Sequence, residues 1–124
     1  MSIDMNGLTA DVSTHGTQTV VALAGEIDLS NHVALRTALN DLIVGGSVDL
    51  VLDLTDVTFM DSTGLGAMIG TRRRVHAFQG SLAIVLTNDA ILRVFEVTGL
   101  DKVFDLYDSR AAALRKPDTN LSQA

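Results

Sequence analysis

Apolar positions along this chain alternate between two spacings, and the alternation predicts its elements. Thr19 to Ala24 is a short continuous apolar run, the mark of a buried strand, and it ends at Gly25-Glu26-Ile27-Asp28. Leu35, Ala38, Leu39, Leu42 and Ile43 then recur at three- and four-residue spacing, which predicts a helix capped by Ser30 or Asn31 and stopped by Gly45-Gly46. A second strand begins at Val48 and carries apolar chain through Val57 and Met60. The following helix, from about Thr63 to Phe78, places Leu65, Met68, Ile69 and Val75 on one side and ends at Gly80. Arg72 falls within that apolar stripe, where its stem can pack while its head reaches solvent.

The rhythm continues with a strand over Ser81 to Leu86 and a helix capped by Thr87 or Asn88 that carries Ile91, Leu92 and Phe95. Gly99 stands where a helix end favours a left-handed residue. Lys102 to Leu106 reads as a last short strand, and Asp108 or Ser109 opens a final helix to about Arg115. Ahead of all this, Ile3 to Ser13 reads as a single edge strand, with a hairpin turn at Thr14 to Thr17. Strand followed by helix, four times after Gly16, predicts an α/β fold: a mixed, mainly parallel sheet of four to five strands, its first strand an antiparallel edge. One domain over residues 1–116 is expected, with residues 117–124 a polar, disordered tail.

Composition narrows the function. The net charge of −6 argues against nucleic acid or an anionic membrane as main partner. No Trp, one Tyr and four Phe leave few stacking platforms for single-stranded nucleic acid. Arg72, Arg73 and Arg74 form the one basic cluster, read as a solvated helix face. The absence of cysteine removes disulfide and thiolate chemistry and fits a cytoplasmic protein. No run approaches the roughly 20 apolar residues of a membrane helix, and the N-terminus lacks the pattern of a signal peptide.

The chain is organised around Met60-Asp61-Ser62-Thr63-Gly64-Leu65-Gly66, where a strand gives way to a helix. Asp, Ser and Thr start helices because their short oxygens accept from the unpaired first-turn amides, while Gly64 and Gly66 permit close approach. Ser62 reads in two ways. It is the helix cap itself, or it is a small exposed hydroxyl at a helix N-terminus, where the free amides and the helix dipole tolerate a phosphoryl group.

Enzymatic readings find little support. Ser62, Asp61 and one of His15, His32 or His76 make a triad only on paper, since the Gly-x-Ser-x-Gly elbow is missing and the histidines lie far apart. No His, Asp and Glu share metal-ligand spacing, so no metal or cofactor is expected. Gly64 to Gly70 follows a strand as a dinucleotide fingerprint does, but Asp61 would repel a pyrophosphate. Small Gly66, Ala67 and Gly70 are better explained by a helix lying close to the sheet. A small nucleotide-binding protein remains the alternative of a different class, one that Gly66→Val would disable.

Gly25-Glu26-Ile27-Asp28, a helix, Asp53 to Met60, Asp61 to Gly66, and Phe95-Glu96-Val97-Thr98-Gly99-Leu100 together resemble the bacterial anti-sigma factor antagonists, a family made of a single STAS domain. The resemblance runs from about Thr19 to Leu106. It implies a regulatory binding protein and not an enzyme: unphosphorylated, it binds an anti-sigma factor that is also a serine kinase and so releases the sigma factor. The kinase phosphorylates the serine after the aspartate, here Ser62, and a PPM-type phosphatase resets the switch. The resemblance further implies a partner surface made by Gly25, Glu26, Asp28, Asp61, Thr63, Gly64, Leu65, Ala67 and Met68. The free protein is expected to be a monomer. A STAS scaffold or subunit in another signalling or transport complex is the alternative within the fold. Two features depart from the family: relatives usually carry a bulky apolar residue at position 72, and Thr63 is a second hydroxyl beside the acceptor.

Overall fold

A computed structural model describes residues 1–114. The end of the last predicted helix at Arg115 and the expected tail from Pro117 lie outside the described residues. In chain order the elements are β1 (Ser2–Asp4), β2 (Leu8–His15), β3 (Gln18–Ile27), α1 (His32–Val44), β4 (Asp49–Met60), α2 (Ser62–Ala77), β5 (Ser81–Val85), α3 (Asp89–Val97), β6 (Asp105–Tyr107) and α4 (Arg110–Ala113).

The sheet runs in sequence order, β1 to β6, antiparallel over the first three strands and parallel from β3 onward. The strand and helix alternation and the antiparallel edge are therefore as the spacing predicts. The described residues hold six strands where four to five were expected, because the stretch read as one edge strand is a hairpin. Asn6 and Gly7 turn it, both at positive φ, the conformation that a two-residue turn between twisted strands demands.

Since successive parallel strands advance in one direction and such crossovers are right-handed, α1, α2 and α3 fall on one face of the sheet. The main core is there. Leu23 and Ile27 of β3, Leu50 and Leu52 of β4 and Ile84 of β5 pack beneath Leu35 and Leu39 of α1, Met68 and Val75 of α2 and Phe95 of α3. Phe95 meets Phe104 edge to face, with ring centres 5.7 Å apart. The opposite face carries a smaller cluster of Val20, Val51, Ala83 and Val85, which Ala113 of α4 covers. Arg110, at the start of α4, pairs with the buried Asp53 of β4 at 2.9 Å.

Several local expectations change. The strand before the Gly25 motif does not end there but runs through it to Ile27. Ile69 is 36% exposed, and the inward positions of α2 are taken by Ala67 and Thr71, whose hydroxyl donates back to the Ala67 carbonyl. α2 ends at Ala77, and the left-handed residue after it is Gln79 at φ 62. Gly80 serves close packing instead: a Cβ there would sit 2.0 Å from the Val48 carbonyl oxygen. The predicted strand at Lys102 to Leu106 begins as a 3₁₀ turn over Leu100–Lys102, and pairing starts only at Asp105.

Candidate functional site

Parallel neighbours end side by side, so β3 and β4 deliver their C-terminal loops to the same edge of the sheet. Ile27 stands in register with Met60, and the Asp61 amide donates to the Ile27 carbonyl at 3.2 Å. The Gly25 to Asp28 segment and the Asp61 turn, expected to share a surface, are thus joined by backbone. Gly25 is required at its position. It sits at φ +116, and a Cβ would meet the Gly7 carbonyl oxygen at 2.2 Å.

Asn31 fastens this corner. It is 2% exposed, and although it occupies the N-cap position of α1, its side chain makes no capping bond. Its Oδ1 accepts from the Asp28 amide at 3.0 Å, while its Nδ2 donates to the Glu26 carbonyl at 2.8 Å and the Asn6 carbonyl at 3.1 Å. The loop, the N-terminal hairpin and α1 therefore meet in one buried amide. Asp28 in turn accepts from the Ser30 amide and hydroxyl, leaving Leu29 between them 74% exposed.

At the start of α2 the cap is Asp61, with extended backbone, and not Ser62. The Asp61 carboxylate accepts from the Thr63 amide at 2.9 Å and the Gly64 amide at 3.3 Å, and also from the Thr63 hydroxyl. The Thr63 hydroxyl bond holds Asp61 below the usual carboxylate range; desolvation opposes it, and the Gly64, Thr63 and Leu29 amides add to the lowering. Ser62 is left as the first helical residue. Its side chain is exposed and its hydroxyl has no partner among the described residues.

Not every residue expected on the partner surface is accessible. Glu26 and Ser62 are exposed, and Gly25, Asp28, Asp61 and Thr63 are partly so. Gly64, Leu65, Ala67 and Met68 are buried. A Cβ on Gly64 would fall 2.5 Å from Met60 Cγ. By contrast, a Cβ on Gly66 would enter open space, so its smallness does not serve helix-to-sheet packing as the sequence suggested. Exposed Leu29 and the 49% exposed Phe59, beside Glu26 in register, add apolar surface that sequence reasoning missed. The signal available was a leucine alone in the polar run Asp28-Leu29-Ser30-Asn31.

Among the described residues no three His, Asp or Glu side chains gather at metal-binding distance, and no helix is long and apolar enough to cross a membrane. The site offers a free hydroxyl, two carboxylates and exposed apolar groups at a helix start.

Comparison with known proteins gives a family model, described as STAS domain, that matches residues 9–113. An anti-sigma-B factor antagonist of Bacillus subtilis (strain 168) is 37% identical over 99 residues, covering 80% of this chain and 90% of the relative. The crystal structure of an anti-sigma factor antagonist from Mycobacterium paratuberculosis superposes with a TM-score of 0.79 at 33% identity, over 86% of this chain and 90% of that one. The Bacillus cell fate determinant SpoIIAA, solved in its phosphorylated form, shares the fold alone, with a TM-score of 0.66 at 22% identity over 83% and 95% of the two chains.

Proposed function

This chain belongs to the STAS-domain family of anti-sigma factor antagonists, and from that membership we propose that it is a cytoplasmic antagonist switched by phosphorylation of Ser62. Unphosphorylated, it binds an anti-sigma factor that is also a serine kinase, and the sigma factor is released. Transfer of a phosphoryl group to Ser62 breaks the complex, and a PPM-type phosphatase restores the hydroxyl.

The observation that carries this reading is the division of labour in one helical turn. Asp61 and Thr63 satisfy each other and the first amides of α2, while the Ser62 hydroxyl between them stays free and exposed. A kinase can take that hydroxyl without dismantling the cap. The helix dipole tolerates the added charge of about −1.5 to −2. With the Thr63 and Gly64 amides already engaged by Asp61, the phosphate is not folded into the domain but presented outward. Its effect falls on the partner, which must desolvate a dianion beside Asp61 and Asp28 or let go. A penalty of about 3 to 4 kcal/mol weakens binding about 100- to 1,000-fold, which suffices for a switch without a change of fold.

The test is recovery of partners from host cytosol on wild-type, Ser62→Ala and Ser62→Asp baits, with mass spectrometry of bait and prey. Wild type and Ser62→Ala retain one ATP-binding kinase that Ser62→Asp loses, and phosphate is found on wild-type Ser62. Identical partners on all three baits, without phosphate, would refute the mechanism.

A further inference from the structure

A second feature begins one residue from the switch. Between α1 and α2 runs a groove of about 410 Å³, lined by His32 and Arg36 from one helix and by Thr63, Arg73 and Arg74 from the other. Its floor is small. Gly66 and Gly70 lie along it, and the Arg74 guanidinium comes within 3.4 Å of the point where a Gly70 Cβ would stand. Arg36 and Arg74 continue into an adjoining depression beside Asn40, and Arg73 into another beside Arg72 and His76. In a chain of net charge −6 with nine Lys and Arg residues, Arg36, Arg72, Arg73 and Arg74 are thus gathered on one flank. The ion pairs among the described residues, Met1 with Asp11 and Arg110 with Asp53, involve none of them.

Arginines held together without carboxylates repel one another, and an anionic ligand relieves the repulsion. The length of the groove selects among anions. Thr63 and Arg74 are eleven residues apart on α2, about 16 Å along the helix. That distance matches about five residues of extended chain and exceeds what one phosphate spans. The net charge of −6 opposes a long polyanionic backbone running past the groove, which disfavours nucleic acid. A short segment whose carboxylates end at the groove meets less of this opposition.

We propose that the groove between α1 and α2 is a docking site for an extended, glutamate- or aspartate-rich segment of a protein partner, its carboxylates received by Arg36, Arg73 and Arg74. Assigning that segment to the partner that engages Ser62 rests on the proposed function, whereas the site itself does not. The two patches make a bipolar surface, acidic at the turn and basic along the groove, so a partner docks in one orientation.

The test is titration of ¹⁵N-labelled protein with a hexaglutamate peptide, alongside hexalysine, inorganic phosphate and an oligothymidylate of similar length. The glutamate peptide is expected to move the amide signals of Gly66, Gly70 and Arg73 at about 50 mM salt, and the shifts to fade at about 0.5 M. Arg36→Glu with Arg73→Glu, both exposed positions, lowers the affinity at least about tenfold while the dispersed spectrum of the folded domain persists. Shifts confined to other surfaces, equal shifts from phosphate alone, or tighter binding of the oligothymidylate would overturn the proposal. Ser62→Ala binds the peptide as wild type does and abolishes phosphate transfer, so failure of the groove and failure of the switch are told apart.

Discussion

The Thr63 hydroxyl donates to the Asp61 carboxylate across the first turn of α2, and this bond separates two hydroxyls adjacent in sequence into different roles. Thr63 belongs to the cap. Ser62, one residue earlier, faces solvent with no partner among the described residues.

Removing the Thr63 hydroxyl tests that separation. In Thr63→Ala the largest influence lowering the Asp61 pKa is gone, so the Asp61 carboxyl titrates at higher pH than in wild type. A depressed carboxyl contributes stability above its unfolded pKa and loses it as pH falls through the folded value. Acid unfolding of Thr63→Ala therefore begins at higher pH. Carboxyl-carbon NMR and circular dichroism against pH check both expectations, and phosphorylation by the kinase should persist.

Asn31 anchors the neighbouring loop. Asn31→Ala leaves the Asp28 amide and the Glu26 and Asn6 carbonyls without their partner in a buried place, at a cost of about 2 to 3 kcal/mol. Urea denaturation measures the loss. Faster hydrogen exchange at the Asp28 amide locates it, and weaker partner binding follows because the loop no longer holds its shape.

Gly25→Ala is expected to be worse tolerated than an ordinary glycine change. Positive φ alone disfavours the new side chain by about 1 kcal/mol or more, and its Cβ would collide with the Gly7 carbonyl oxygen. Relief requires the β1–β2 hairpin to move away from β3. Thermal unfolding should show a lowered midpoint, with exchange accelerated first in Leu8 and Glu26.

The strand and helix order was legible because each buried element keeps its apolar period, as Leu50, Leu52 and Leu54 do in β4 and Leu35, Leu39 and Ile43 do in α1. The site was legible only as a group of residues. Asp61, Ser62 and Thr63 are all capping types, and the choice among them is made by Asp61 leaving the sheet with its amide on Ile27, a neighbour supplied by another strand. Asn31 looked like a cap for the same reason, yet its partners Asn6 and Glu26 are brought to it by the hairpin and the sheet. The Asn6-Gly7 turn carried a readable signal, overlooked because the weak alternation around it suggested one strand. The basic groove has no signature along the chain, since Arg36 and Arg73 become neighbours only when α1 packs beside α2.

On the far face of the sheet, Asp53 and Arg110 join α4 to β4. Burial pushes the Asp53 carboxyl up, but the Thr55 hydroxyl and amide together with Arg110 outweigh it and hold the group below its ordinary range. The stability this contributes is present above the unfolded carboxylate pKa and is lost as pH falls through the lower folded value. Arg110→Ala raises the Asp53 pKa and, since Arg110 is partly exposed, costs about 1 kcal/mol at neutral pH. Urea denaturation at pH 7 and pH 3 should show the difference between variant and wild type shrinking in acid.

Phosphate on Ser62 is expected to act at the interface with the partner kinase. Isothermal titration of the partner kinase with the unmodified protein and with the same protein phosphorylated on Ser62, under identical salt, tests it directly. The phosphate is expected to weaken binding at least about 100-fold. Affinities within about threefold of each other, about 0.7 kcal/mol, would contradict it.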